Sequence, residues 1–312
     1  MLPLLYPEPE VVRQVLEDPQ TADIPELHKL CWEWTRRFVC ASWEATEADI
    51  QRLRDGGLPD REIVNWAESA SVQTWWVMSA DGGGVELDGF TPETGRVVGL
   101  GRDHYEGAVV TTAAETGALA RATGSGAPNG IAWVDVDLAD PAYLESADWA
   151  EARYGFVPNF FKALSLRPAL YPRHRRALEL LEGPVSERLT PRQHALARAL
   201  VSGLNRSPYG ADTTRALLER TTGDAALFDR VAGDYTRHDW APEERAVLDF
   251  AAKMNRSAYK VTDKDMARLR DAGFDEAVYV EVANIVSIQT SIERVANSFG
   301  VVPDGQPLLP KA

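Results

Sequence analysis

The chain has 312 residues, 45% of them apolar and 26% charged, the balance expected of a globular protein with room for a sizeable core. Its formal charge of −14 argues against nucleic acid and anionic membrane surfaces as partners, because both would repel it. No apolar run approaches the roughly 20 residues that span a bilayer, and the opening MLPLLYPEPE has a short apolar patch without a basic n-region, so the expectation is a cytoplasmic protein without a signal peptide.

The first predicted helix covers residues 26–41 and carries both cysteines, Cys31 and Cys40. Nine positions turn a helix through about 900°, which sets the two thiols on opposite faces. They can neither form a bridge nor share a metal there, and two structural thiols are expected.

Next comes the clearest internal signal. Residues 46–89 align without a gap onto residues 262–305, with 17 of 44 positions identical. Thr46 and Thr262 are N-cap candidates with an Asp three residues on. Short helices should stop at Gly57 and Gly273, suited to a left-handed C′ position. Longer helices should then start at Asp60 and Asp275 and end near Gly82 and Gly300. Each copy reads as an α-hairpin. Trp32, Trp34, Trp43, Trp66, Trp75 and Trp76 all fall in or just before the first copy. They are either core packing or the lining of a pocket for a flat, unsaturated ligand.

Between the copies lie a Gly-rich stretch (82–101), a Val/Thr/Ala segment (108–120) and the linker-like loop ATGSGAPNG (122–130). Candidate strands are 96–100 and 131–136, and His104-Tyr105 is a polar pair that could reach a pocket. The division expected is a partial helical repeat (1–89), an insert and linker (90–130) and a complete domain (131–312). From Ile131 onward the pattern is helices with short connections, an all-α domain. Arg173-His174-Arg175-Arg176 reads as a solvated helix face or, alternatively, as a contact for an anionic substrate group.

Thr190-Pro191 is a strong helix start. In the helix that follows, Ala197, Leu200, Val201 and Leu204 form a core stripe, and His194 lies within about 20° of Val201 and Asn205 on the helical wheel. The turn Arg206-Ser207-Pro208-Tyr209-Gly210 leads to a helix carrying Ala216-Leu217-Leu218.

Four stretches together resemble the AhpD-like (alkylhydroperoxidase D/carboxymuconolactone decarboxylase) superfamily, in particular its peroxidase-related branch. They are IAWVDVDL, RYGFVPNFFKALSLRPAL, LTPRQHALARALVSGLNRSPYG and the closing VTDKDMARLRDAGF…VANSFGVVPDG. The resemblance covers about residues 131–305 and implies an all-α bundle that forms homo-oligomers. It also implies a Cys-x-x-Cys pair, a His and a Glu, which fall here on Ser207, Gly210, Thr214 and Ala195. None of the four is retained. Since a thiolate and a resolving thiol are what peroxide chemistry needs, a peroxidase or disulfide reductase is excluded.

The remaining polar residues suggest acid–base work. His194 with Asp212 as a base pair, Tyr209 as donor and Glu293 as an acid of raised pKa form the candidate catalytic set. Asn205, Ser207, Trp66, Gln73, Trp76 and Gln289 are the candidate substrate contacts. Plainer readings stand beside these: Asp212 as the cap of a helix starting near Thr213, His194 as a satisfied half-buried side chain, and Glu293 in a surface ion pair with Arg294. No zinc spacing, phosphate-cradling loop or Ser–His–Asp signature occurs, so no metal or cofactor is expected. Two functional readings follow. One is a non-redox enzyme performing cyclisation, isomerisation, elimination or decarboxylation on a small, mostly apolar metabolite. The other is a catalytically dead binding or assembly protein.

Overall fold

The computed structural model describes residues 8–82, 127–183 and 188–311, and everything structural below refers to these. The candidate strand at 96–100, the pair His104-Tyr105 and most of the insert lie outside them.

The described residues form α-helices joined by short turns. In the N-terminal part these are α1 (Pro9–Glu17), α2 (Glu26–Ala41), a 3-10 turn (Ser42–Glu44), α3 (Glu47–Asp55) and α4 (Asp60–Gly82). After the insert come α5 (Pro141–Tyr154), α6 (Asn159–Ala163), α7 (Tyr171–Glu182), α8 (Pro191–Leu204) and α9 (Pro208–Thr222). The chain closes with α10 (Leu227–Asp234), α11 (Pro242–Ser257), a 3-10 turn (Ala258–Lys260), α12 (Asp263–Asp271) and α13 (Glu276–Ser298). No strand occurs among the described residues. The segment 131–136 makes two backbone hydrogen bonds to the end of the chain, Trp133 N to Phe299 O (2.8 Å) and Val302 N to Ile131 O (2.9 Å). Ala132, Trp133 and Val134 are buried in succession, and the two bonds fall on partners three residues apart, so they do not build a ladder.

The correspondence between the two segments reaches further upstream than their sequence identity does. α2, its 3-10 turn, α3 and α4 match α11, its 3-10 turn, α12 and α13 end for end, each 216 residues further on, and α1 falls opposite α10. Thr46 and Thr262 both close capping boxes, with Asp49 and Asp265. Gly57 and Gly273 sit at φ +98° and +88°, where a side chain would be strained. The ion pairs repeat as well: Arg37–Asp49 answers Lys253–Asp265, and Arg54–Asp60 answers Arg270–Glu276.

α8 is the hub, buried at every position from Gln193 to Leu204. α9, α10, α11 and α13 surround it. α4 lies antiparallel on α13, with Ser71 against Ser291 and Ser79 Oγ donating to Ser287 Oγ at 3.0 Å. One continuous apolar core joins both parts of the chain: Trp34, Phe38, Ile63 and Val64 share it with Leu200, Val286 and Phe299. Burial of this apolar surface is the main stabilising contribution.

A second link is ionic. Glu68 of α4 is 2% exposed and meets Nε2 of His174 at 2.8 Å and the Arg173 guanidinium. Burial would raise its pKa, but His174 and Arg173 outweigh that and hold it below the ordinary carboxylate range. Arg175 bonds Ser146 Oγ at 2.9 Å and lies over Trp149. The basic run is therefore not a solvated face: two of its members are consumed by a buried carboxylate and a third by α5.

Candidate functional site

The α8–α9 turn is tight. Arg206 adopts φ +47°, and Ser207 caps α9, its Oγ accepting from Gly210 N at 3.2 Å. α9 thus begins at Pro208, not near Thr213, and Asp212 is an exposed residue in its second turn rather than a cap. Ser207 is fully buried and its hydroxyl is committed to the cap.

Helical spacing brings two polar faces together beside this turn. α8 presents Arg198, Ser202 and Asn205, and α13 presents Gln289, Thr290, Glu293 and Asn297, each set on one side of its helix. The Glu293 carboxyl is at the centre, 0% exposed. It accepts from Asn205 Nδ2 at 2.8 Å, from Gln289 Nε2 at 2.8 Å and from Ser202 Oγ. Arg198 Nε donates to Gln289 Oε1 at 3.0 Å, and Asn255 Nδ2 donates to Asn205 Oδ1 at 3.1 Å and to Thr290 Oγ1 at 2.9 Å. Asn297 ties Asn205 O to Ser42 Oγ. Burial carries the Glu293 carboxyl up to about 7, against the pull of its three donors and the Arg198 charge. It forms no surface ion pair with Arg294. A Cβ on Gly210 would lie 1.9 Å from Glu293 Oε1, so the carboxyl fills the space that any side chain at 210 would need.

The other expected catalytic residues lie elsewhere. Tyr209 OH donates to Asp304 Oδ2 at 2.7 Å and accepts from Phe160 N at 3.3 Å, while Asn159 N donates to Asp304 Oδ1 at 2.7 Å. That cluster binds the VPNFF and VPDG segments to α9. His194 lines a different pocket, of about 270 Å³, with Leu180, Val280, Glu281 and Asn284. Its ring bonds the Leu181 carbonyl, and burial together with the Arg198 charge lowers its pKa to about 3, so it stays neutral and a weak base. Among the described residues no hydrogen bond or ion pair joins it to Asp212.

A larger cleft, of about 560 Å³, opens between the two copies. α2 and its turn contribute Thr35, Val39, Cys40 and Trp43, and α4 contributes Gln73, Thr74, Val77, Met78 and Asp81. The facing wall is Asn205, residues 254–259 and Arg294. The repeat explains why it is there. Val39, Gln73, Thr74, Val77 and Asp81 stand where the second copy has Asn255, Gln289, Thr290, Glu293 and Asn297. In the second copy α8 covers that face, while among the described residues no counterpart of α8 covers it in the first. Asn205 belongs to both places, donating to Glu293 and lining the facing wall of the cleft.

Of the expected substrate contacts, Asn205 and Gln73 line the cleft, and Gln289 is buried in the cluster around Glu293. Trp66 and Trp76 are 40% and 65% exposed on α4 and are not part of the lining, although Trp66 Nε1 donates to the lining residue Thr35 at 2.6 Å. The six tryptophans do not form one pocket: Trp34 stacks on Phe299 and packs tilted against Phe38 in the core, Trp32 packs beside α1, and of the six Trp43 alone lines the cleft. Cys31 is buried and Cys40 exposed, on opposite faces of α2. Asn255 was not anticipated from sequence, and Cys40 and Arg294 were read there as a structural thiol and a surface ion-pair partner, not as cleft residues. Setting the two copies side by side reveals Arg294, which stands where the first copy has Met78.

Neither a family model nor a curated protein matches the chain. Solved structures do. An uncharacterized peroxidase-related protein from Silicibacter sp. TM1040 is 24% identical over 55% of this chain and 94% of its own, with a TM-score of 0.50. An alkylhydroperoxidase AhpD core, an uncharacterized peroxidase-related protein from Ralstonia eutropha JMP134, is 29% identical over 54% of this chain and 88% of its own, with a TM-score of 0.46. The likeness to the first of these is one of fold alone, all-α, and covers about half of the chain.

Proposed function

We propose that this chain binds a small, mostly apolar molecule in the cleft between its two copies, without thiol redox chemistry. One observation carries the reading: the face of α4 that corresponds to the α8-covered face of α13 is open and lined by Val39, Val77 and Met78 beside the polar Gln73 and Thr35. Its volume of about 560 Å³ falls in the range of small-molecule sites. The plugged Gly210 position, the occupied Tyr209 hydroxyl and the exposed Asp212 support binding over catalysis. In a Cys31→Ser variant Cys40 is the single thiol, and it lies in the cleft. The neutral probe N-phenyl-1-naphthylamine should bind with enhanced fluorescence and slow the reaction of Cys40 with a thiol reagent. Binding without protection, or no binding, would defeat the reading.

A second reading, acid–base catalysis such as isomerisation, elimination, cyclisation or decarboxylation, is favoured by one fact. Glu293, poised near 7, is separated from the cleft by a single amide, that of Asn205. It requires Asn205 to swing aside so that the carboxyl touches the substrate. A turnover whose pH profile bends near 7 and loses that bend in Glu293→Gln would establish it.

A further inference from the structure

Arg294 enters the cleft from α13 at the position where the first copy has Met78. Its guanidinium is half-buried, and its hydrogen bond is a long one, Nη1 to Thr74 Oγ1 at 3.4 Å. No carboxylate lies within ion-pair distance of it among the described residues. A second cation stands nearby in the lining: Arg256, whose guanidinium lies over the Trp43 ring at 5.7 Å. Burial, together with the charge of Arg256, lowers the Arg294 pKa to about 10, so it remains cationic at neutral pH. The acid in the lining, Asp81, is two helical turns along α4 from Thr74, about 10 Å away. Val39, Val77, Met78 and Met254 supply the apolar wall between. In a chain with a net charge of −14, a cationic end on an apolar cleft is a local inversion of sign.

A guanidinium taken partly out of water without an ion-pair partner is costly to fold around, and a planar anion restores what it lacks. We infer that the ligand of the cleft is an amphipathic carboxylic acid, its carboxylate held by Arg294 and its apolar body laid along α4 toward Met78. This rests on the cleft being the binding site, and it adds the acidic group, the residue that holds it and the direction in which the ligand lies.

The test uses naphthalene-2-carboxylate and its uncharged counterpart naphthalene-2-carboxamide on the full chain with Cys31→Ser. Calorimetric affinity and protection of Cys40 are read together, with labelling rates compared only within each variant because Arg294 lies beside the thiol. The carboxylate should bind at least about tenfold more tightly than the carboxamide, the scale of one charge-assisted hydrogen bond. Arg294→Met, which installs the residue of the first copy, should abolish that preference by lowering the carboxylate affinity far more than the carboxamide affinity. Arg294→Lys should retain part of the preference, which a misfolded variant would not do. Equal affinity of the two compounds for the parent chain, with Cys40 protected by both, overturns the carboxylate inference and leaves the binding site intact. Failure of both compounds to protect Cys40 overturns the site itself. A preference that survives Arg294→Met assigns the acid to another residue and refutes the role of Arg294.

Discussion

Replacing Glu293 by Gln isolates the buried carboxyl at the centre of the α8–α13 contact. Its pKa stands at about 7 in the folded chain against an ordinary 4.5. Because the folded value is the raised one, the folded state holds the proton more tightly than the unfolded state does. Stability is fully present below pH 4.5 and is lost as pH rises through 7. At about 1.4 kcal/mol per unit the full loss is about 3 kcal/mol, of which about 2 kcal/mol falls between pH 5.5 and 8.5. Gln cannot titrate. It fits the same volume but turns an amide NH₂ toward one of three donors, a penalty of about 1–3 kcal/mol that does not vary with pH. Urea unfolding of both proteins at several pH values gives the difference directly, and groups common to the two and not coupled to Glu293, such as Glu182, cancel. The variant should gain about 2 kcal/mol on the parent chain as pH goes from 5.5 to 8.5. A difference that stays flat across that range would mean that the carboxyl is not held as the structure places it.

Gly210→Ala should cost about 1–3 kcal/mol, because its Cβ meets Glu293 Oε1. Combined with Glu293→Val, the residue of the first copy, it should cost less than the sum of the two single changes, a coupling that a denaturation cycle reads. Glu68→Gln should destabilise the chain by about 3 kcal/mol by leaving Arg173 and His174 without their buried anion. Since the Glu68 pKa is depressed, that deficit should be full above pH 4.5 and shrink as pH falls below it, as acid titration of both proteins will show. A thiol reagent should modify Cys40 in the folded chain and leave Cys31 unmodified until urea unfolds it, by mass spectrometry of the labelled peptides. Equal labelling of both would contradict the orientation of α2.

The helical architecture was legible because its signals are local: capping threonines, left-handed glycines and apolar periodicity. The upstream half of the repeat was not, because α1–α2 and α10–α11 retain charge and shape rather than identity. Arg37 and Lys253 perform the same task on Asp49 and Asp265 with different side chains. Within the site, Asn205, Gln289 and Glu293 could be anticipated from their faces on the two helices. His194 misled for a geometric reason. It shares an angle with Asn205 on the wheel but stands eleven residues away, about 16 Å along the axis, and so faces a separate pocket. Angular agreement on a helix places two side chains on one face and says nothing of their distance along it.

The cleft could not be read from any motif, because it arises from a mismatch between two copies of one unit. In the second copy the polar face of α13 is matched donor for acceptor by α8, so Glu293 and its neighbours are consumed internally. In the first copy the corresponding face of α4 has Val77 in place of Glu293 and Asp81 in place of Asn297, and it meets the cleft instead. Filling such a face with a partner helix and filling it with a ligand are physically alternative ways to remove the same apolar surface from water. The substitutions follow that logic: the carboxylate that needs α8 for its hydrogen bonds is replaced by a valine that needs none. Arg294, across the cleft, has no carboxylate on α8 or α4 to meet it. A half-buried cation with no ion pair among the described residues therefore faces the surface left uncovered by α8, and a ligand bound there would add to stability. A rise in Tm on binding that disappears in Arg294→Met would join the two observations in one measurement.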